Sequence, residues 1–214
     1  MRRFFRELFY DLKEPGINTW FIPLIFLCYI IAALFWHKEL GQDDTITLAV
    51  LELLVPFWGG YASLMLMQGL LDTAGCEIMF TYPRSNFYWG IYRQLRFFAC
   101  FSLIIAFVCF CIAKIMNIPF IELFFLTMFQ SFAVVGVAFG SIAFSRKVSV
   151  GLVLLLSFVL VQVTVGREFG FLNFLYILTG DIPELHQIAK ISFRGAAIGF
   201  VTLFIGQLWI HPTN

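Results

Sequence analysis

Residues 72–96 read DTAGCEIMFTYPRSNFYWGIYRQLR and separate two long apolar runs. The first part, 72–80, is helix-compatible, with small Ala74, Gly75 and Cys76 beside acidic Glu77. Tyr82-Pro83 stops that helix, because proline disfavours the α region for the residue before it. Ser85 and Asn86 can cap the next helix, and Arg84, Arg93 and Arg96 mark the side of a membrane on which the stretch lies. The stretch therefore predicts a short helix parallel to a membrane, a turn, and the start of a new spanning helix.

The composition around it demands a membrane. The 214 residues are 61% hydrophobic and 13% charged, where a soluble domain carries roughly 25% charge. Mean hydropathy is +0.90. The 28 phenylalanines suit lipid-facing and interhelical filling, and a net charge of +1 predicts no nucleic-acid partner. Moving outward, the run upstream is Ile46–Leu71, containing Glu52, Pro56 and Gly59-Gly60, and the run downstream is Phe97–Ile115. A tight Asn117-Ile118-Pro119 turn leads to Phe120–Phe144, Ser145-Arg146-Lys147 leads to Val148–Val165, and Ile188–Ile210 closes the series. Thr19–Trp36 opens it. Each run approaches the ~20 residues that a span requires, so the expectation is an all-α integral membrane protein of six transmembrane helices, forming one domain over residues 1–214.

Two further segments belong to this reading. Residues 1–16 place Phe4, Phe5, Leu8, Phe9 and Leu12 at helical spacing among Arg2, Arg3, Arg6, Glu7 and Lys13, which predicts an amphipathic helix lying in the interface. They show no small-residue cleavage site, so no cleavable signal peptide is expected. Residues 166–187 carry Gly166, Gly170, Gly180 and Pro183 around an apolar strip too short to span. Either a plain loop or two short re-entrant helices fit, the latter only if protein covers their backbone.

The positive-inside rule orients the chain. With the N-terminus inside, Arg2, Arg3, Arg6, Lys13, Arg84, Arg93, Arg96, Arg146 and Lys147 all fall on the inner side. Both termini and the 72–86 stretch are then cytoplasmic, and 166–187 is external.

Motifs for catalysis are missing. No histidine lies within a span, H-x-x-x-H spacing is absent, and no G-x-x-x-x-G-K-[ST] P-loop occurs. Ser141 and Ser145 have no nearby base. Cys28, Cys76, Cys100, Cys109 and Cys111 form no C-x-x-C pair and are expected to pack as small buried hydrophobes. Glu52 and Glu122 share an expected depth with Lys190 and Arg194 and are candidates for outer charge pairing. Gly136 and Gly140 form a G-x-x-x-G pair, which predicts close helix contact within the bundle or across a dimer.

With this topology in place, the central stretch resembles the coupling-helix pattern of ABC-2 type permeases, which have the type V exporter fold. That pattern runs from a small residue to a Glu, an apolar stretch, Thr/Ser-x-Pro-x-Ser, and a basic residue opening the third span. Here it is matched by Gly75, Glu77, Ile78-Met79-Phe80, Thr81-Tyr82-Pro83-Arg84-Ser85 and Arg93. The family also has an interfacial connecting helix at its N-terminus and re-entrant helices between spans five and six, like residues 1–16 and 166–187 here.

The resemblance implies a permease subunit that is not itself an enzyme and holds no cofactor. ATP and Mg would sit on a separate cytoplasmic P-loop ATPase, and a second permease, identical or homologous, would complete the transporter. Asp72, Cys76, Met79 and Phe80 would face a groove of the ATPase, Ala74 and Gly75 would permit close approach, and Glu77 would hold the helix. Thr81, Pro83, Arg84 and Ser85 would fix its angle to the third span. The setting implied is a bacterial cytoplasmic membrane, and the cargo a hydrophobic or amphipathic peptide, bacteriocin, drug or lipid. The rival readings are a non-transporting scaffold or immunity protein and a membrane-embedded enzyme.

Overall fold

A computed structural model describes residues 44–71, 90–168, 175–177, 180 and 182–210, with Ile25, Cys28, Tyr29, Ile31, Ala32 and Phe87. The expected interfacial helix (1–16) and coupling helix (72–86) lie outside the described residues, as does most of the expected first span. The described residues form five long helices and no strand: α1 (Asp44–Leu71), α2 (Ile91–Met116), α3 (Phe120–Ser145), α4 (Val148–Glu168) and α5 (Leu185–Trp209).

Hydropathy located each of these, and the exceptions have physical causes. The third expected span starts at Ile91 rather than Phe97, six residues early, and takes in Arg93, Gln94 and Arg96. The arginines suggested an interface, yet the structure buries all three of these side chains. Arg96 also lies over the Tyr92 ring, 5.1 Å from its centroid. The Asn117-Ile118-Pro119 turn is as tight as expected. Asn117 takes the left-handed conformation that ends a helix, Ile118 N–H reaches back to the Ala113 carbonyl at 3.1 Å, and Pro119 starts α3.

The described residues give four spans and not six. α1, α2, α3 and α5 are long and apolar enough to cross a membrane, whereas the apolar stretch of α4, Val148–Thr164, is shorter. Of the first expected span, only Ile25, Cys28, Tyr29, Ile31 and Ala32 are described; they are helical, and the Tyr29 hydroxyl donates to the Thr47 carbonyl at 2.5 Å.

The core is apolar, but so is much of the outer surface. Leu103, Phe193 and Phe204 are each more than 60% exposed, while Gln94, Gln130, Ser63 and Thr127 are fully enclosed. Water would penalise such a surface, and lipid does not. The described residues thus form an all-helical bundle with the surface of a membrane protein. α3 packs against all four other helices, and α1 joins it at the centre, with Gly59 against Phe101 of α2 and Gly60 against Val134 and Leu155.

Consecutive helices run in opposite directions, which gives the bundle two ends. One end gathers Ile91, Ser145 and Trp209: Ile91 N–H donates to Gln207 Oε1 at 2.9 Å, and Phe144 meets Trp209 edge-on. Arg93, Arg96, Arg146 and Lys147 lie at this basic end. The acidic residues of the described helices, Asp44, Glu52, Glu122 and Glu168, all fall in the opposite half.

Candidate functional site

Polar side chains inside the bundle form two groups. Towards the basic end, Ser63 Oγ of α1 donates to Gln94 Oε1 of α2 at 2.9 Å and lies 3.3 Å from the Val135 carbonyl of α3. The Gln94 amide returns a longer bond of 3.4 Å to the Ser63 carbonyl. Three helices are thereby joined where α1 leads into the 72–86 stretch and α2 leads out of it.

The second group surrounds the chain between α4 and α5. Leu175 and Tyr176 are not helical, and their carbonyls accept from Gln130 Nε2 of α3 at 2.8 and 3.1 Å. Leu175 N–H donates to Gln162 Oε1 of α4, and Gly180 N–H donates to Glu52 Oε2 of α1, each at 3.4 Å. Gly180 has φ +71°, and a Cβ there would strike the Thr45 carbonyl oxygen, so this close approach needs glycine.

Depth gives the arrangement its meaning. Gln130 is ten residues into α3, or about 15 Å at the helical rise, and Glu52 and Gln162 lie about 12 and 9 Å from their helix ends. The polar groups of the non-helical backbone are thus met by side chains from within the helices, while Gly180 itself lies beside Thr45 at the start of α1. Leu175, Ile177 and Gly180 are buried among the helices. The described residues of 166–187 are therefore not a plain loop over the surface. Residues 166–168 continue α4 and 185–187 begin α5, while the remainder of the expected short helices lies mostly outside the described residues.

Glu52 is 2% exposed and turned to Gly180. Glu122 is half-buried on a cleft of about 390 Å³ lined by Thr45, Leu48, Ile118, Pro119, Gly180 and Ile182. Lys190 is exposed and Arg194 half-buried. Among its contacts, Glu52 accepts from the Gly180 backbone amide at 3.4 Å. Of the described cysteines, only Cys109 is fully enclosed; Cys100 and Cys111 are partly buried and Cys28 is exposed, correcting the expectation of uniform burial. In lipid, an apolar thiol at the surface incurs no penalty. Cys76 and the other coupling-stretch residues, together with Arg2, Arg3, Phe5, Arg6 and Phe9, lie outside the described residues. No group of three or more His, Cys, Asp or Glu able to hold a metal occurs among the described residues.

Sequence reasoning missed the glutamines. Gln130, Gln162 and Gln207 each stand within an apolar run and Gln94 between two arginines, and a search for ionisable groups passes over an amide. An amide at membrane depth carries the same signal, because it must find a partner there.

Gly136 and Gly140 find theirs within the bundle. A Cβ on Gly136 would stand 2.7 Å from the Gly199 carbonyl oxygen of α5, and one on Gly140 would stand 3.3 Å from that of Thr202. Both positions of this pair therefore meet α5 within the chain.

No family model, curated protein or solved structure matches the chain.

Proposed function

We propose that the protein is the permease subunit of an ABC exporter of the ABC-2 type. A separate P-loop ATPase would drive it, and it would pair with a second permease, identical or homologous. The observation that carries this reading is the ordered set Gly75, Glu77, Thr81, Pro83 and Ser85, followed by Arg93, between two membrane helices. A permease without nucleotide chemistry of its own must sense ATP through a contact, and a short helix in a groove of the ATPase is such a contact.

Features of the bundle support the reading. The 72–86 stretch joins α1 to α2 at the end where the described helices carry Arg93, Arg96, Arg146 and Lys147 and no acid, the side that faces the cytoplasm under the positive-inside rule. The Ser63–Gln94 bond ties α1 to α2 near that junction, so a tilt imposed on the stretch would reach both helices together. At the opposite end, chain held below the surface by Glu52, Gln130 and Gln162 suits a re-entrant closure. The six-span count is part of the proposal: α4 and the 19–36 run would complete it with the four longer helices. The cargo class rests on the apolar outer faces and on the open cleft beside Glu122, whose mixed lining suits an amphipathic molecule.

Glu77→Ala combined with Gly75→Trp tests the reading. The double variant is expected to insert and purify like the wild type and to lose nucleotide-dependent transport of cargo in reconstituted vesicles. Transport at the wild-type rate would contradict the coupling role.

A further inference from the structure

A groove of about 290 Å³ opens towards lipid between α3, α4 and α5, lined mostly by apolar residues (Val137, Phe144, Leu154, Ile205 and Trp209) with Gly140 and the polar Ser141. Thr202, also on its wall, directs its hydroxyl to the Ile198 carbonyl of its own helix at 2.6 Å, so the lining is predominantly apolar. Phe144 and Trp209 stand at its basic end with ring centroids 5.2 Å apart and planes at 74°; they are 64% and 54% exposed. Tryptophan favours the level where hydrocarbon meets headgroups. From Val137 to Ser145, α3 rises about 12 Å, close to the ~15 Å depth of one leaflet's hydrocarbon.

The turn after Phe144 supplies charge. Arg146 and Lys147 are exposed there, and the turn is pinned by Ser145, whose hydroxyl donates to the Ser141 carbonyl at 2.8 Å and accepts from Lys147 N–H at 3.4 Å. No acidic residue lies at this end among the described residues. A leaflet-deep apolar groove thus ends in an aromatic pair and a cationic turn.

We propose that this groove is a binding site for an anionic phospholipid of the leaflet at the basic end. One acyl chain lies along α3 and α5, and the headgroup phosphate meets Lys147 and Arg146. A second copy of the chain is the less suitable occupant, because a two-fold contact centred on the groove would bring two basic turns together. The site goes beyond the transport reading and does not depend on it.

The test is native mass spectrometry of the purified protein titrated with phosphatidylglycerol and with phosphatidylcholine of identical acyl chains. The anionic lipid should bind about fivefold more tightly, the advantage a basic residue gives at a membrane surface. Lys147→Glu should abolish that preference and Lys147→Arg should keep it. Ile205→Trp, on a wall residue 47% exposed, should weaken both lipids by filling the groove. Equal affinities in the wild type, or a preference that survives Lys147→Glu, would overturn the proposal. So would an Ile205→Trp variant that loses dimers while binding lipid normally, since the groove would then be a contact between copies.

Discussion

The seam between α3 and α5 and the chain held between α4 and α5 are joined to the bundle by opposite means. At the seam, Gly136 meets Gly199, Gly140 meets Gly206 and Gly195 meets the Phe129 backbone, so the helices approach until backbone touches backbone. In the held chain, amide and carboxylate side chains reach over to backbone that has no helix of its own. Lipid removes the hydrophobic drive between helices, leaving packing and hydrogen bonding as the available glues. The seam uses the first and the held chain the second. The seam should therefore fail through steric overlap and the held chain through unpaired polar groups.

Three substitutions separate these failures. Gly136→Leu should have the largest effect, because backbone atoms of Gly199 lie 2.7–2.8 Å from the new Cβ and cannot step aside as a side chain would. A loss of about 3 kcal/mol is expected, read as a lowered midpoint of unfolding in detergent. Gln130→Leu should cost about 1–2 kcal/mol by leaving the Leu175 and Tyr176 carbonyls without donors. Hydrogen exchange should then rise around residues 175–180 and stay unchanged along α3 and α5. Ser63→Ala should be mildest, at about 0.6 kcal/mol, with faster exchange near the junction of α1 and α2. If Gln130→Leu instead loosened the α3–α5 seam as much as its own contacts, the two regions would be one cooperative unit and the distinction would fail.

How much of this was legible depended on what each residue shows by itself. The helices α1 to α5 were readable because their apolar runs are long, and the Asn117–Pro119 turn because both residues have strong backbone preferences. The start of α2 was misplaced because Arg93 and Arg96 look like interface residues until their surroundings are known. Gly136-x-x-x-Gly140 announced close contact but could not name Gly199 as its partner, since that pairing exists only in three dimensions. The held chain was half visible: Gly180 and Pro183 showed a broken segment, whereas Gln130 and Gln162 gave no sign of which backbone they would meet. Glu52 was noticed for its charge, and nothing in the sequence tied it to the Gly180 amide.

The most direct test of the account is a pull-down of the tagged chain in mild detergent, with mass spectrometry of its companions. The account predicts a P-loop ATPase in the wild-type sample and its absence from the Gly75→Trp, Glu77→Ala sample, with a second permease chain present if the complex is heterodimeric. Recovery of the folded chain without any ATPase would contradict the permease reading and favour a scaffold or immunity protein.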